Sequence, residues 1–85
     1  MQLEIISPEK IVFNGEIQMV RVPGGAGSFA VMNNHAPIVS TLEKGQIKVS
    51  NNDGQILYFE TTGGVIQVLN NKITILIDES PNKTS

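Results

Sequence analysis

The chain has 85 residues, six basic against eight acidic side chains, a formal charge of −2 and no cysteine. That length allows one domain with one core, and the missing cysteines exclude disulfides and thiolate metal sites, which fits a reducing, cytoplasmic compartment. There is no lysine or arginine cluster and no apolar run near the roughly 20 residues that span a bilayer, so neither a nucleic acid partner nor direct membrane insertion is expected.

Short runs of isoleucine, valine, threonine and phenylalanine, punctuated by glycine, proline and asparagine, predict strands joined by tight turns. Leu3 to Ser7 reads as a first strand, stopped by Pro8. Ile11 to Phe13 reads as a second extended piece closed by a turn at Asn14-Gly15, and Glu16 to Val22 continues the sheet. Both alternating sets of Ile17-Gln18-Met19-Val20-Arg21-Val22 carry apolar residues, which predicts a covered outer face. The loops Pro23 to Gly27 and Asn33 to Pro37 flank the apolar run Phe29 to Met32 and are expected at one end of the sheet. Pro37 biases Ala36 towards extended geometry and Asn34 accepts a left-handed turn, so the second loop should be stiff.

Ile38 to Leu42 follows, ended at Lys44-Gly45, and then Gln46 to Ser50, with Ile47 and Val49 sharing one face. Asn52-Asp53-Gly54 predicts a hairpin with a type I′ turn, leading into Gln55 to Thr61. Ile56-Leu57-Tyr58-Phe59 is apolar on both faces, the mark of a central strand or of one covered by a partner. Gly63-Gly64 should break or bulge the ladder. Val65 to Leu69 and Lys72 to Asp78 read as a last hairpin about Asn70-Asn71, with Ile73, Ile75 and Ile77 pointing inward. Residues 79–85 are polar and aperiodic, the pattern of a disordered tail. The expectation is an all-β, two-sheet β-sandwich or flattened barrel of about ten short strands over residues 1–78.

The chemistry-bearing residues are sparse. His35 is the only histidine, with no second ligand or triad partner at suitable spacing, which makes it a loop or interface residue rather than a base or metal ligand. Gly24-Gly25-Ala26-Gly27-Ser28 has no Walker lysine and no following helix, so it is a turn rather than a phosphate cradle. No catalytic residue, metal site or cofactor is expected. Ile17, Met19, Leu57 or Phe59, and Leu76 exceed the needs of one inward face, and they either fill a tightly closed core or form a contact patch under a partner.

Several segments carry a resemblance in their order and spacing: Ile5-Ile6-Ser7-Pro8-Glu9, Phe13-Asn14-Gly15-Glu16, Val22-Pro23-Gly24 through Gly27, Asn34-His35-Ala36-Pro37-Ile38-Val39, Gly63-Gly64 and Ile73-Thr74-Ile75-Leu76-Ile77-Asp78. Together they resemble the N-terminal domain of the epsilon subunit of rotary F-type ATP synthases. The resemblance implies a noncatalytic rotor subunit that links the gamma subunit to the membrane c-ring, held peripherally at the cytoplasmic face of the inner membrane. It implies a c-ring contact at Gly25, Ala26, Gly27, Ser28 and His35, and a gamma contact at Ser7, Ser40 and Leu42. Ser28 stands where many relatives carry an acidic residue, so hydrogen bonding is expected to replace charge there. Most relatives continue into a C-terminal helical hairpin that this sequence lacks, which implies coupling without that mode of inhibition and no ATP binding. The alternative reading of the residues is a stand-alone small-ligand or carbohydrate-binding sandwich, weakened by the absence of tryptophan and the scarcity of other rings for stacking.

Overall fold

The computed structural model describes residues 1–78; the expected tail at residues 79–85 lies outside the described residues. Nine strands follow in order: β1 (Gln2–Ile6), β2 (Ile11–Glu16), β3 (Met19–Gly24), β4 (Gly27–Met32), β5 (Ile38–Leu42), β6 (Gly45–Ser50), β7 (Ile56–Thr61), β8 (Gly64–Leu69) and β9 (Lys72–Ile77). They form one hydrogen-bonded path, β2-β1-β9-β8-β5-β3-β6-β7, with β4 paired to β3.

The path folds over on itself at a corner. There β5 passes into β6 through Glu43 and Lys44, and its antiparallel neighbour β7 passes into β8 through Thr62 and Gly63. Strands that bend at such a corner belong to both layers, so the sheet becomes a five-stranded layer, β2-β1-β9-β8-β5, facing a four-stranded one, β7-β6-β3-β4. The link from β3 to β5 is a single register pair, Gly24 with Leu42. Leu3, Ile5, Ile66, Ile73 and Ile75 from the first layer and Val20, Val22, Val31, Ile47 and Val49 from the second are all fully buried in one cluster. Each such side chain contributes about 1.5–3 kcal/mol through its removal from water. On the open side, Phe13 of β2 meets Phe59 of β7 edge-to-face with centroids 5.8 Å apart, so the two ends of the path are joined by rings rather than by a ladder.

The corner is built around glycine. Gly64 has φ +153°, and a Cβ there would fall on the Leu76 carbonyl oxygen and stand 3.0 Å from the Ile77 Cα. Beside it Thr61 Oγ1 donates to the Gly63 carbonyl at 2.6 Å and accepts from the Gly63 N–H at 3.0 Å, while the Asp78 N–H donates to the Gly63 carbonyl at 3.0 Å. The sharp bend thus leaves Gly63 with its backbone groups paired.

Four local readings change. Asn14-Gly15 is no turn: both residues lie in β2 opposite Glu4 and Leu3, and the break between β2 and β3 falls at Ile17 and Gln18 instead. Glu16 to Val22 is not one strand, because Ile17 and Gln18 interrupt it; Ile17 turns into the core, and the apparent second apolar face shrinks to Met19. The Asn52-Asp53-Gly54 hairpin forms, but only Gly54 has positive φ, +88°, with the Gly54 N–H donating to the Asn51 carbonyl at 3.1 Å. That is a type I turn closed by a left-handed glycine rather than a type I′ turn. Ile56 to Phe59 does not lie in a central strand: β7 ends the path, and Ile56 and Tyr58 face solvent while Leu57 and Phe59 lean on the core. By contrast, Asn70 and Asn71 have φ +52° and +61°, the positive pair that a two-residue type I′ hairpin requires.

Candidate functional site

The surfaces able to meet a partner follow from strand register. In the five-stranded layer, inward and outward residues alternate, and the outward ones align into rows across the strands. One row reads Ile11, Ile6, Leu76, Val65 across β2, β1, β9 and β8, each residue opposite the next. Ile11 is 58% exposed, Leu76 49% and Val65 38%. The next row begins on β5 with Val39, 73% exposed and opposite Gln67. Valine left that open at the centre of a strand face gains nothing from folding, and four aligned apolar side chains make a contiguous strip rather than scattered surface apolars. The strip borders a shallow depression of about 390 Å³ lined by Gln67, Leu69, Asn70, Lys72 and Thr74, whose lining holds no aromatic ring.

The expected glycine turn is a second surface. Gly25 and Ala26 form the β3–β4 turn, and Gly25 through Ser28 are all exposed. Gly25 packs so closely on β5 that a Cβ would stand 2.8 Å from Thr41 Oγ1, and its N–H donates to the Thr41 carbonyl at 3.0 Å. Gly27, at φ +130°, has nothing within 4 Å of the Cβ position, which leaves its backbone open to an incoming chain.

The structure does not bring His35 to that turn. The Gly24–Gly27 turn and the Asn33–Pro37 loop lie at opposite ends of β4, separated by roughly 17 Å of extended chain. The expectation of one shared loop cluster overlooked that β4, although short, runs the full length of its layer opposite β3. The second loop is held instead at the β8–β9 hairpin: the Asn34 N–H donates to Asn71 Oδ1 at 2.8 Å, and the His35 N–H to the Met32 carbonyl at 3.1 Å. His35 Nδ1 lies 2.7 Å from the Ala36 carbonyl, so its near ring nitrogen is engaged with its own loop. Among the described residues no cluster of three His, Asp or Glu side chains is placed to hold a metal ion, and no helix is long and apolar enough to cross a membrane.

Nor do Ser7, Ser40 and Leu42 form a surface. Ser7 is buried, its hydroxyl accepting from the Glu9 and Lys10 N–H groups at 3.3 and 3.2 Å and donating to the Lys10 carbonyl at 3.1 Å. Leu42 is a core residue, and Ser40, half-buried, lies opposite buried Ile66 on the inner side of β5. Their outward neighbours Ile6, Val39 and Thr41 are the groups a partner could touch. Of the surplus apolar residues, Ile17 fills the core, Met19 lies on the other layer, and only Leu76 joins the exposed strip.

Residues 1–82 match the family described as ATP synthase, Delta/Epsilon chain, beta-sandwich domain. The ATP synthase epsilon chain of Protochlamydia amoebophila is 42% identical over 76 residues, which cover 89% of this chain and 52% of that one. The epsilon chain of Chlorobaculum tepidum is 38% identical over 77 residues, covering 91% of this chain and 88% of that one. The chain spans about half the length of the Protochlamydia relative and 57% of a Desulfitobacterium hafniense one. Among solved structures, a chain of the Euglena gracilis mitochondrial ATP synthase OSCP/F1/c-ring superposes with TM-score 0.86 at 19% identity, over 92% of this chain and 50% of that one. A chain of the Tetrahymena thermophila mitochondrial ATP synthase central stalk and c-ring gives TM-score 0.79 at 20% identity, over 93% and 63%. At those identities the superpositions speak for the fold, and the sequence matches speak for the family: this chain belongs to the beta-sandwich domain family of ATP synthase delta and epsilon chains.

Proposed function

We propose that this chain is a noncatalytic central-stalk subunit of a rotary F-type ATP synthase that couples the gamma subunit to the membrane c-ring during ion-driven synthesis. The observation that carries the reading is the aligned apolar strip of Ile11, Ile6, Leu76 and Val65, with Val39 beside it, on the outer face of the five-stranded layer. A strip of that kind is the core of an interface, and the work asked of it is mechanical: a stiff body gripped on two sides so that rotation of one partner turns the other. The folded-over sheet path and the ring contact across its open side supply stiffness without reactive chemistry.

In this reading gamma covers the strip, and the polar c-ring loops meet the Gly25–Ser28 turn at the corner end, through backbone groups and the Ser28 hydroxyl. The assembly would hold the chain peripherally on the cytoplasmic side of the inner membrane. His35 stays at the far end, outside the c-ring contact. Co-purification tests the proposal: affinity-tagged chain expressed in its native cells should recover gamma under conditions that keep the rotor intact, and recovery of the chain without gamma would overturn it.

A further inference from the structure

The chain contains two places where an asparagine or aspartate precedes glycine, Asn14-Gly15 and Asp53-Gly54. At such a pair the glycine nitrogen can attack the side-chain carbonyl carbon, because glycine has no Cβ to obstruct the approach and lets the backbone reach the cyclising geometry. In an unfolded chain the asparagine pair reacts faster, since ammonia leaves from a neutral amide whereas a carboxylate must first take up a proton. The fold reverses that order. Asn14 and Gly15 are held within β2, opposite Glu4 and Leu3 of β1. Asn14 Oδ1 accepts from Gln2 Nε2, and the Phe13 ring stands 3.5 Å from the Gly15 Cβ position, against the backbone that would have to turn. Asp53-Gly54 is held in the opposite way. Asn52 through Gln55 are exposed, and Gly54, at φ +88°, has nothing within 4 Å of its Cβ position. Asp53 Oδ1 accepts from the Gln55 N–H at 3.1 Å, which swings the carboxyl group to the Gly54 side of the chain. The Gly54 N–H donates to the Asn51 carbonyl at 3.1 Å, a turn bond at the surface that must open before attack. The turn is also under-satisfied, since among the described residues Asn51 Oδ1 is buried without a partner.

We infer that Asp53 is a self-modification site, at which the folded chain converts to isoaspartate. The Gly54 nitrogen bonds to Asp53 Cγ while the Cγ–O bond breaks, and the hydroxyl of the protonated carboxyl group leaves with the amide proton as water. A second water then opens the five-membered succinimide. Addition at Cγ restores aspartate; addition at the backbone carbonyl carbon leaves the chain running through Cβ and Cγ, with a free α-carboxylate. The composition of the chain is unchanged, and no co-reactant beyond water takes part. The lengthened backbone falls in an exposed turn outside the core, so the domain stays folded while the link from β6 to β7 gains an atom. The new α-carboxylate stands in solvent, where an enzyme that methylates isoaspartyl carboxylates can reach it. The inference does not depend on which partners the chain binds.

The test ages the purified chain in warm neutral buffer, folded and in urea, and reads each site by peptide mass spectrometry with electron-transfer fragmentation, which separates isoaspartate from aspartate. Enzymatic methylation of isoaspartyl carboxylates gives a second readout. The folded chain should accumulate isoaspartate at Asp53 at least about tenfold faster than at Asn14, and urea should invert the order by releasing Asn14 from the ladder. Asp53→Glu, whose longer side chain cannot close the five-membered ring, should abolish the modification with the charge retained. Asp53→Asn should hasten it, because ammonia then leaves in place of water. Isoaspartate appearing first at Asn14 in the folded chain, an Asn14 rate unchanged by urea, or methylation of the Asp53→Glu chain as fast as the parent would each overturn the inference.

Discussion

Gly64→Ala should cost the domain about 4 kcal/mol or more, the largest loss expected from adding a single methyl group. Two terms combine at this site. The φ of +153° lies where only glycine is at ease, and the new Cβ would collide with the Leu76 carbonyl and crowd the Ile77 Cα. Both obstacles are backbone atoms of β9, so relief means prising β8 from β9 at the corner where the two layers join. A domain of this size is stable by only about 4–13 kcal/mol, so the loss removes between about a third and all of the folding free energy. Gly27→Ala is the matched comparison, with φ +130° but nothing within 4 Å of the added carbon. It should lose only about 1–2 kcal/mol from backbone strain. Urea unfolding followed by far-ultraviolet circular dichroism distinguishes the two, and equal losses would show that the corner has more give than the geometry allows.

The second large effect concerns binding rather than folding. On the proposed contact, replacing Val39 and Leu76 together by glutamate should weaken gamma binding by at least about 100-fold, equivalent to about 2.7 kcal/mol, because each carboxylate would be buried unpaired in an apolar interface. The free chain should tolerate the change. At 73% and 49% exposure both side chains already sit in water, so the variant should unfold within about 0.5 kcal/mol of the parent. Isothermal titration with purified gamma measures the loss. Ile56→Glu, on the opposite layer, should bind as the parent does, and a loss there with normal binding by the double variant would move the gamma contact to the other face.

The elements themselves were legible because strand signals here are local. Runs of β-branched residues ended by Pro8, Lys44-Gly45 and Gly63-Gly64 mark where strands stop, and Asn70-Asn71 marks the last hairpin. That turn even carried site information. A two-residue hairpin fixes its register, so counting outward from Asn70-Asn71 places Val65 opposite Leu76 on the outward face, two members of the strip. The rest of the strip depended on pairings between distant segments. Ile6 meets Leu76 only because β1 lies parallel beside β9, and Ile11 joins them only because a bulge between Ile5 and Ile6 shifts the register of β2. No local pattern announces either. The resemblance marks Ser7 and Leu42 as contact positions without telling whether a side chain faces in or out; burial assigns both to the interior. The distance between His35 and the glycine turn depends on the length and direction of β4, which no local pattern gives.

Carbene footprinting of the chain alone and in complex with purified gamma reads individual side chains and so locates the proposed contact. Labelling should fall at Val39, Val65 and Leu76 on binding while Ile56 and Tyr58 label as before. Protection of Ile56 and Tyr58 with Val39 and Leu76 unchanged would contradict it.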